Sequence, residues 1–224
     1  MSGKKILLNR DGLSSDFLRL GCGDSSLERL ETGLVKANLM KAGDELRSFE
    51  DVTHWRRGGA ETFIATSVLV TTSGERHHVI GKAFASFASP ERACTSWLRR
   101  RLLLEELGIR VPRLYSVFSG IIFEEFIEAE LHIDDCSLGQ LIEDIALTAV
   151  LLDHGGFEPL CFLKDLRMRA QTVYYVDFGS DLGEPEGTLK DCAKIEIQNA
   201  LLEPQRSECL SYYNSYFKRI QNSC

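Results

Sequence analysis

Apolar and β-branched residues gather in two short runs, Ile64–Thr72 and His77–Phe84, with Ser73-Gly74 between them. Runs of this kind around a turn dipeptide predict a hairpin. A third strand over Val52–Phe63 would reach it through Gly58-Gly59. Ser89-Pro90-Glu91 then opens a helix, with Ser89 as cap and Pro90 at the first helical position, where its missing N–H has no partner to lose. The apolar stripe of that helix is Ala93, Trp97, Leu98, Leu102 and Leu103, and Gly108 stops it. Val111–Phe118 and Gly120–Ile127 predict two further strands around Ser119-Gly120.

After Ser137 the period changes from two to that of a helix. Leu138, Leu141, Ile142, Ile145, Ala149 and Leu152 recur on one face as far as Gly155-Gly156. A strand over 172–176 follows, then two closing helices at 188–203 and 205–221, the second with Leu210, Tyr213, Phe217 and Ile220 on one face. Upstream of the strands, residues 24–43 predict one or two short capped helices within an N-terminal extension, residues 1–48. The pattern predicts an α+β chain: a sheet with one helix over 49–127 and a mostly helical part over 128–224.

Composition narrows the function. A chain of 224 residues with 44% hydrophobic and 26% charged positions can bury a proper core. A net charge of −7 and a pI near 5.3 argue against general nucleic-acid binding, which needs a basic face. The basic clusters at Arg56-Arg57, Arg99–Arg101 and Arg167/Arg169 are short and read as solvated faces. Seven cysteines without a CxxC pair suggest neither zinc nor a disulfide framework. The apolar run near the N-terminus is short for a signal peptide, and no segment reaches membrane-spanning length, so a cytoplasmic protein is expected.

The strand Thr172–Val176 runs into Asp177-Phe178-Gly179. A carboxylate at a strand end before a glycine can present oxygens to Mg²⁺ and a triphosphate. With the preceding sheet, helix and Glu124-Glu125-Phe126 linker, this layout resembles a bilobal protein-kinase-like fold: a small antiparallel-sheet N-lobe and a reduced, mostly helical C-lobe. The resemblance covers about residues 51–221 and is nearest to the small divergent phosphotransferases, the aminoglycoside and choline type and the lipopolysaccharide sugar kinases. It implies ATP and Mg²⁺ as cofactors and a small-molecule or sugar hydroxyl as acceptor. By that resemblance Gly58 and Gly59 lie in the loop over the phosphates, although the GxGxxG spacing is missing. Lys82 meets the α- and β-phosphates, Glu91 on the next helix pairs with it, and backbone groups of Glu125, Phe126 and Ile127 contact adenine. Asp177 binds metal.

The catalytic loop departs from the family, which carries His-x-Asp and an Asn five residues after that Asp. Counting back from Asp177 places Asp165 at the Asn position, as a second metal ligand, with Leu166–Met168 and Val173–Val176 as a short hairpin. Leu160 then stands where the proton acceptor belongs. The other register matches His154-Gly155-Gly156 to His-Gly-Asp, which puts Gly156 in place of Asp and Cys161 in place of Asn. Glu158, Asp165, Asp153 and His154 are the candidate bases. A pseudokinase, retaining the fold as a nucleotide-binding or regulatory scaffold, is the alternative.

Overall fold

The alternating segments of the first half pair into one antiparallel sheet. The computed structural model describes residues 6–9, 26–44, 46–51, 63–71, 76–77, 79–83, 90–118, 121–127, 129–130, 139–176, 178–179, 182–183, 185 and 189–222. Its strands are β1 (Ile6–Asn9), β2 (Leu46–Asp51), β3 (Phe63–Thr71), β4 (Arg76–His77), β5 (Val79–Ala83), β6 (Leu114–Phe118) and β7 (Ile121–Glu125), ordered β1-β2-β3-β5-β7-β6 with β4 beside β3. The expected hairpin is β3 with β5, where Ile64 faces Lys82 and Thr66 faces Ile80. Most of the expected strand over Val52–Phe63, including Gly58 and Gly59, lies outside the described residues, as do Ser89, Asp177 and the side chain of Glu91.

The chain divides into two units: residues 1–98 with 112–126, and residues 99–111 with 127–224. In the first, helix α1 (Ser26–Lys36) lies against β6 and β7. Contact is close because α1 offers Gly33 to the buried ring of Phe123: a Cβ at Gly33 would collide with Phe123 Cε2. The Ser116 hydroxyl donates to the Gly33 carbonyl at 3.3 Å. Gly33→Ala is therefore expected to destabilise the protein by about 1–3 kcal/mol through overpacking, read as a lower denaturant midpoint at unchanged slope.

Helix α2 (Pro90–Glu106) begins at the predicted proline. Its buried residues are Cys94, Trp97, Arg101 and Leu104, whereas Leu102, expected in the stripe, is 58% exposed. The difference turns on Arg101, which is buried while donating to Glu105 at 2.8 Å, one turn on. A hydropathy reading assigns that position to solvent.

The second unit holds α3 (Gly139–His154), a 3-10 helix (Phe162–Asp165), the hairpin β9 (Leu166–Arg169) and β10 (Thr172–Tyr175), and helices α4 (Cys192–Ala200) and α5 (Gln205–Gln221). A short strand β8 (Ala129–Glu130), absent from the sequence reading, pairs with β9. Leu141, Ile142, Ile145, Ala149 and Leu152 are buried, as the α3 spacing predicts. The buried face of α5 carries Cys209 and Tyr213, and burial pushes the Cys209 thiol up to about 12, leaving it protonated at neutral pH. No helix among the described residues is long and apolar enough to cross a membrane. The architecture is the expected α+β one, a small antiparallel-sheet unit and a mostly helical unit.

Candidate functional site

In the first unit the candidate site centres on Lys82, the single charged residue of β5. Lys82 is 3% exposed, and burying an ammonium is costly without a partner. A partner among the described residues is Glu124 on β7, itself 1% exposed: Lys82 Nζ lies 2.6 Å from Glu124 Oε1. The ladder explains the pairing. Lys82 faces Ile122 and Ile80 faces Glu124, so lysine and glutamate are diagonal neighbours on one face of the sheet. The Trp97 ring of α2 completes the setting, its centroid 5.9 Å from Nζ, within cation–π range.

Glu91, expected to pair with Lys82, has its side chain outside the described residues, and Glu124 was not singled out from the sequence. Period-two alternation does place Glu124 and Ile122 on one face of β7, but only the observed pairing of β5 with β7 brings that face to Lys82. Of the residues expected at adenine, Glu125 already donates its backbone N–H to the Arg113 carbonyl at 2.8 Å. Phe126 is half-buried and Ile127 buried.

In the second unit Asp165 is the last residue of the 3-10 helix, buried, and directly precedes β9. Its carbonyl accepts the Val176 N–H at 2.9 Å, which extends the β9–β10 hairpin by one pair. The loop is clamped at its far end as well. Glu196 of α4 accepts the Phe162 N–H at 2.7 Å and the Leu163 N–H at 2.9 Å, one with each carboxylate oxygen, satisfying amides that open the 3-10 helix. Phe178 and Gly179 are buried, and the Phe178 ring stacks on Tyr175 at 6.4 Å between centroids.

Glu158 and Asp153, two of the other candidates, have structural partners. Glu158 forms an ion pair with Lys190 at 2.6 Å and accepts the Gly183 N–H on its carbonyl at 3.1 Å. Leu160 is 72% exposed. Asp153, at the end of α3, is fully buried and accepts three hydrogen bonds: Ala193 N–H at 3.0 Å, Lys194 N–H at 3.1 Å and the Tyr213 hydroxyl at 2.9 Å. It caps α4 from across the fold, a carboxylate at the positive end of a helix. Burial raises the Asp153 carboxyl above the usual carboxylate range against the opposing pull of these bonds, and burial beside Asp153 raises Tyr213. Asp153 thus joins three helices, which makes it a structural group and a poor proton acceptor for an arriving substrate.

Among the described residues, no three His, Cys, Asp or Glu converge to hold a metal. Asp165 alone of the two expected metal ligands is described; its hard oxygens are of the type Mg²⁺ takes.

No family model matches the chain, and no curated protein matches it. Among solved structures, a crystal structure of LicA in complex with AMP is similar, at 17% identity and a TM-score of 0.39 over 82% of this chain and 79% of that one. A likeness so slight assigns neither activity nor ligand.

Proposed function

We propose that this chain binds Mg-ATP as a divergent kinase-like phosphotransferase acting on a small-molecule or sugar hydroxyl. The observation that carries the reading is Lys82, an ammonium buried within a strand and held by a buried carboxylate and an indole face. Such a group suits the α- and β-phosphates. Phe126 and Ile127 offer backbone groups to adenine; Gly58 and Gly59 cover the phosphates. Asp165 and Asp177 would hold Mg²⁺, which when bound would supply charge screening at the phosphates. The position of Asp165, between a 3-10 turn and the first strand of a hairpin that leads to Asp177, favours the register in which it replaces the family's Asn.

That register leaves Leu160 at the proton acceptor's place, and Glu158 is the nearest carboxylate in sequence that can take the role. Because the transition state is loose, positioning and charge neutralisation can sustain transfer without a strong base. The exposed Leu160 favours a second reading, a nucleotide-binding scaffold without transfer.

A Mg-ATP thermal-shift titration tests the first claim. Ligand at about 100 times Kd stabilises a protein by about 2.7 kcal/mol, a shift of several degrees in a chain this size. Wild type should show it, and Lys82→Ala and Asp177→Ala should not. Equal shifts in all three proteins would overturn the reading. ATP turnover that vanishes in Asp165→Ala identifies the phosphotransferase; its absence in wild type leaves the scaffold.

A further inference from the structure

We infer that Glu124, on strand β7, is the positioning residue that aims Lys82 at the nucleotide phosphates, a role the helix α2 glutamate was expected to fill. The inference rests on the nucleotide-binding reading and deepens it. Three observations carry it.

The pair is short and dry: 2.6 Å between Nζ and Oε1, with 3% and 1% of the two residues exposed. A buried ion pair adds little or nothing to stability over an apolar pair of the same volume, so its presence inside a sheet calls for another reason. A lysine ready for phosphate is such a reason, because a flexible four-carbon stem must otherwise be ordered when the ligand arrives.

The geometry is fixed by backbone pairing. Val79, Ile80, Gly81, Lys82 and Ala83 pair in unbroken register with Glu125, Glu124, Phe123, Ile122 and Ile121. Glu124 therefore reaches Lys82 diagonally, and the Trp97 ring lies 5.9 Å from the same ammonium. Carboxylate and indole restrict the ammonium from separate elements.

The third observation is adjacency. Glu124 directly precedes Glu125-Phe126-Ile127, the segment assigned to adenine. One strand and the two residues after it thereby serve both ends of the nucleotide: Phe126 and Ile127 meet the base, and Glu124 sets the lysine that meets the phosphates.

The test separates phosphate recognition from general damage. Dissociation constants for Mg-ATP and for adenosine are measured on wild type, Glu124→Gln and Lys82→Ala. Positioning predicts that Glu124→Gln weakens Mg-ATP at least tenfold while adenosine stays within twofold, and that Lys82→Ala does the same. A merely structural glutamate would move both ligands together. Glu124→Asp keeps the charge and withdraws it by one methylene; it is expected to weaken Mg-ATP selectively as well, and it supplies the answer if the Gln variant does not fold. Lys82-dependent Mg-ATP binding that is unchanged or tighter in Glu124→Gln and Glu124→Asp overturns this inference and leaves the nucleotide-binding reading standing. Absence of Mg-ATP binding in wild type overturns both.

Discussion

Asp153→Ala is expected to destabilise the protein by about 3–5 kcal/mol, since it strips a helix of its cap and leaves buried donors unsatisfied. The donors are the Ala193 and Lys194 amides and the Tyr213 hydroxyl, all within 3.1 Å of the carboxylate. Tyr213→Phe removes one of the three and should lose about 1 kcal/mol. Urea denaturation reads both, and a loss below 1 kcal/mol for Asp153→Ala would show that the three helices do not depend on this group. A pH dependence follows. Burial raises the folded-state carboxyl above its unfolded value, so its contribution is complete below the unfolded pKa of about 4 and is lost as pH rises through the folded one. The stability advantage of wild type over Asp153→Asn should accordingly be greatest near pH 4 and shrink towards pH 8.

The second large effect concerns Lys82 and Glu124. Lys82→Met alone leaves a buried carboxylate, and Glu124→Leu alone leaves a buried ammonium; each should lose about 3–5 kcal/mol. The double variant Lys82→Met/Glu124→Leu leaves neither, and should lie within about 1 kcal/mol of wild type or above it. The coupling measured around that cycle is then most of either single effect. Additive losses would mean that the two residues act independently despite their 2.6 Å contact. A double variant that is stable yet fails to bind Mg-ATP would place the value of the pair in ligand binding.

Much of the fold was legible because the responsible forces are local. Pro90 marked the first residue of α2, Gly155-Gly156 the end of α3, and the apolar period of α3 named five residues that are buried. What escaped depends on contacts remote in sequence. In the α2 stripe Trp97 is buried as expected, whereas Leu102 is exposed and its neighbour Arg101 is buried beside Glu105; β8 is two residues long with no pattern of its own. At the site, Lys82 stood out as a charge in an apolar strand. Glu124 did not, because nothing within β7 tells which neighbour its carboxylate will meet. Asp153 was named among the candidate bases; its structural role depends on residues forty and sixty positions away.

The clamp of Glu196 on the Phe162 and Leu163 amides has a consequence for how this protein can change. Residues 157–161 are strung between two fixed posts, the end of α3 tied through Asp153 and the 3-10 turn tied through Glu196. On that span Leu160 is exposed and can be exchanged while the posts stay where they are, whereas Phe157 and Pro159 are buried and Glu158 is paired with Lys190. A carboxylate placed at Leu160 would therefore enter from an exposed position between two held ends, with the placement of Asp165 left as it is.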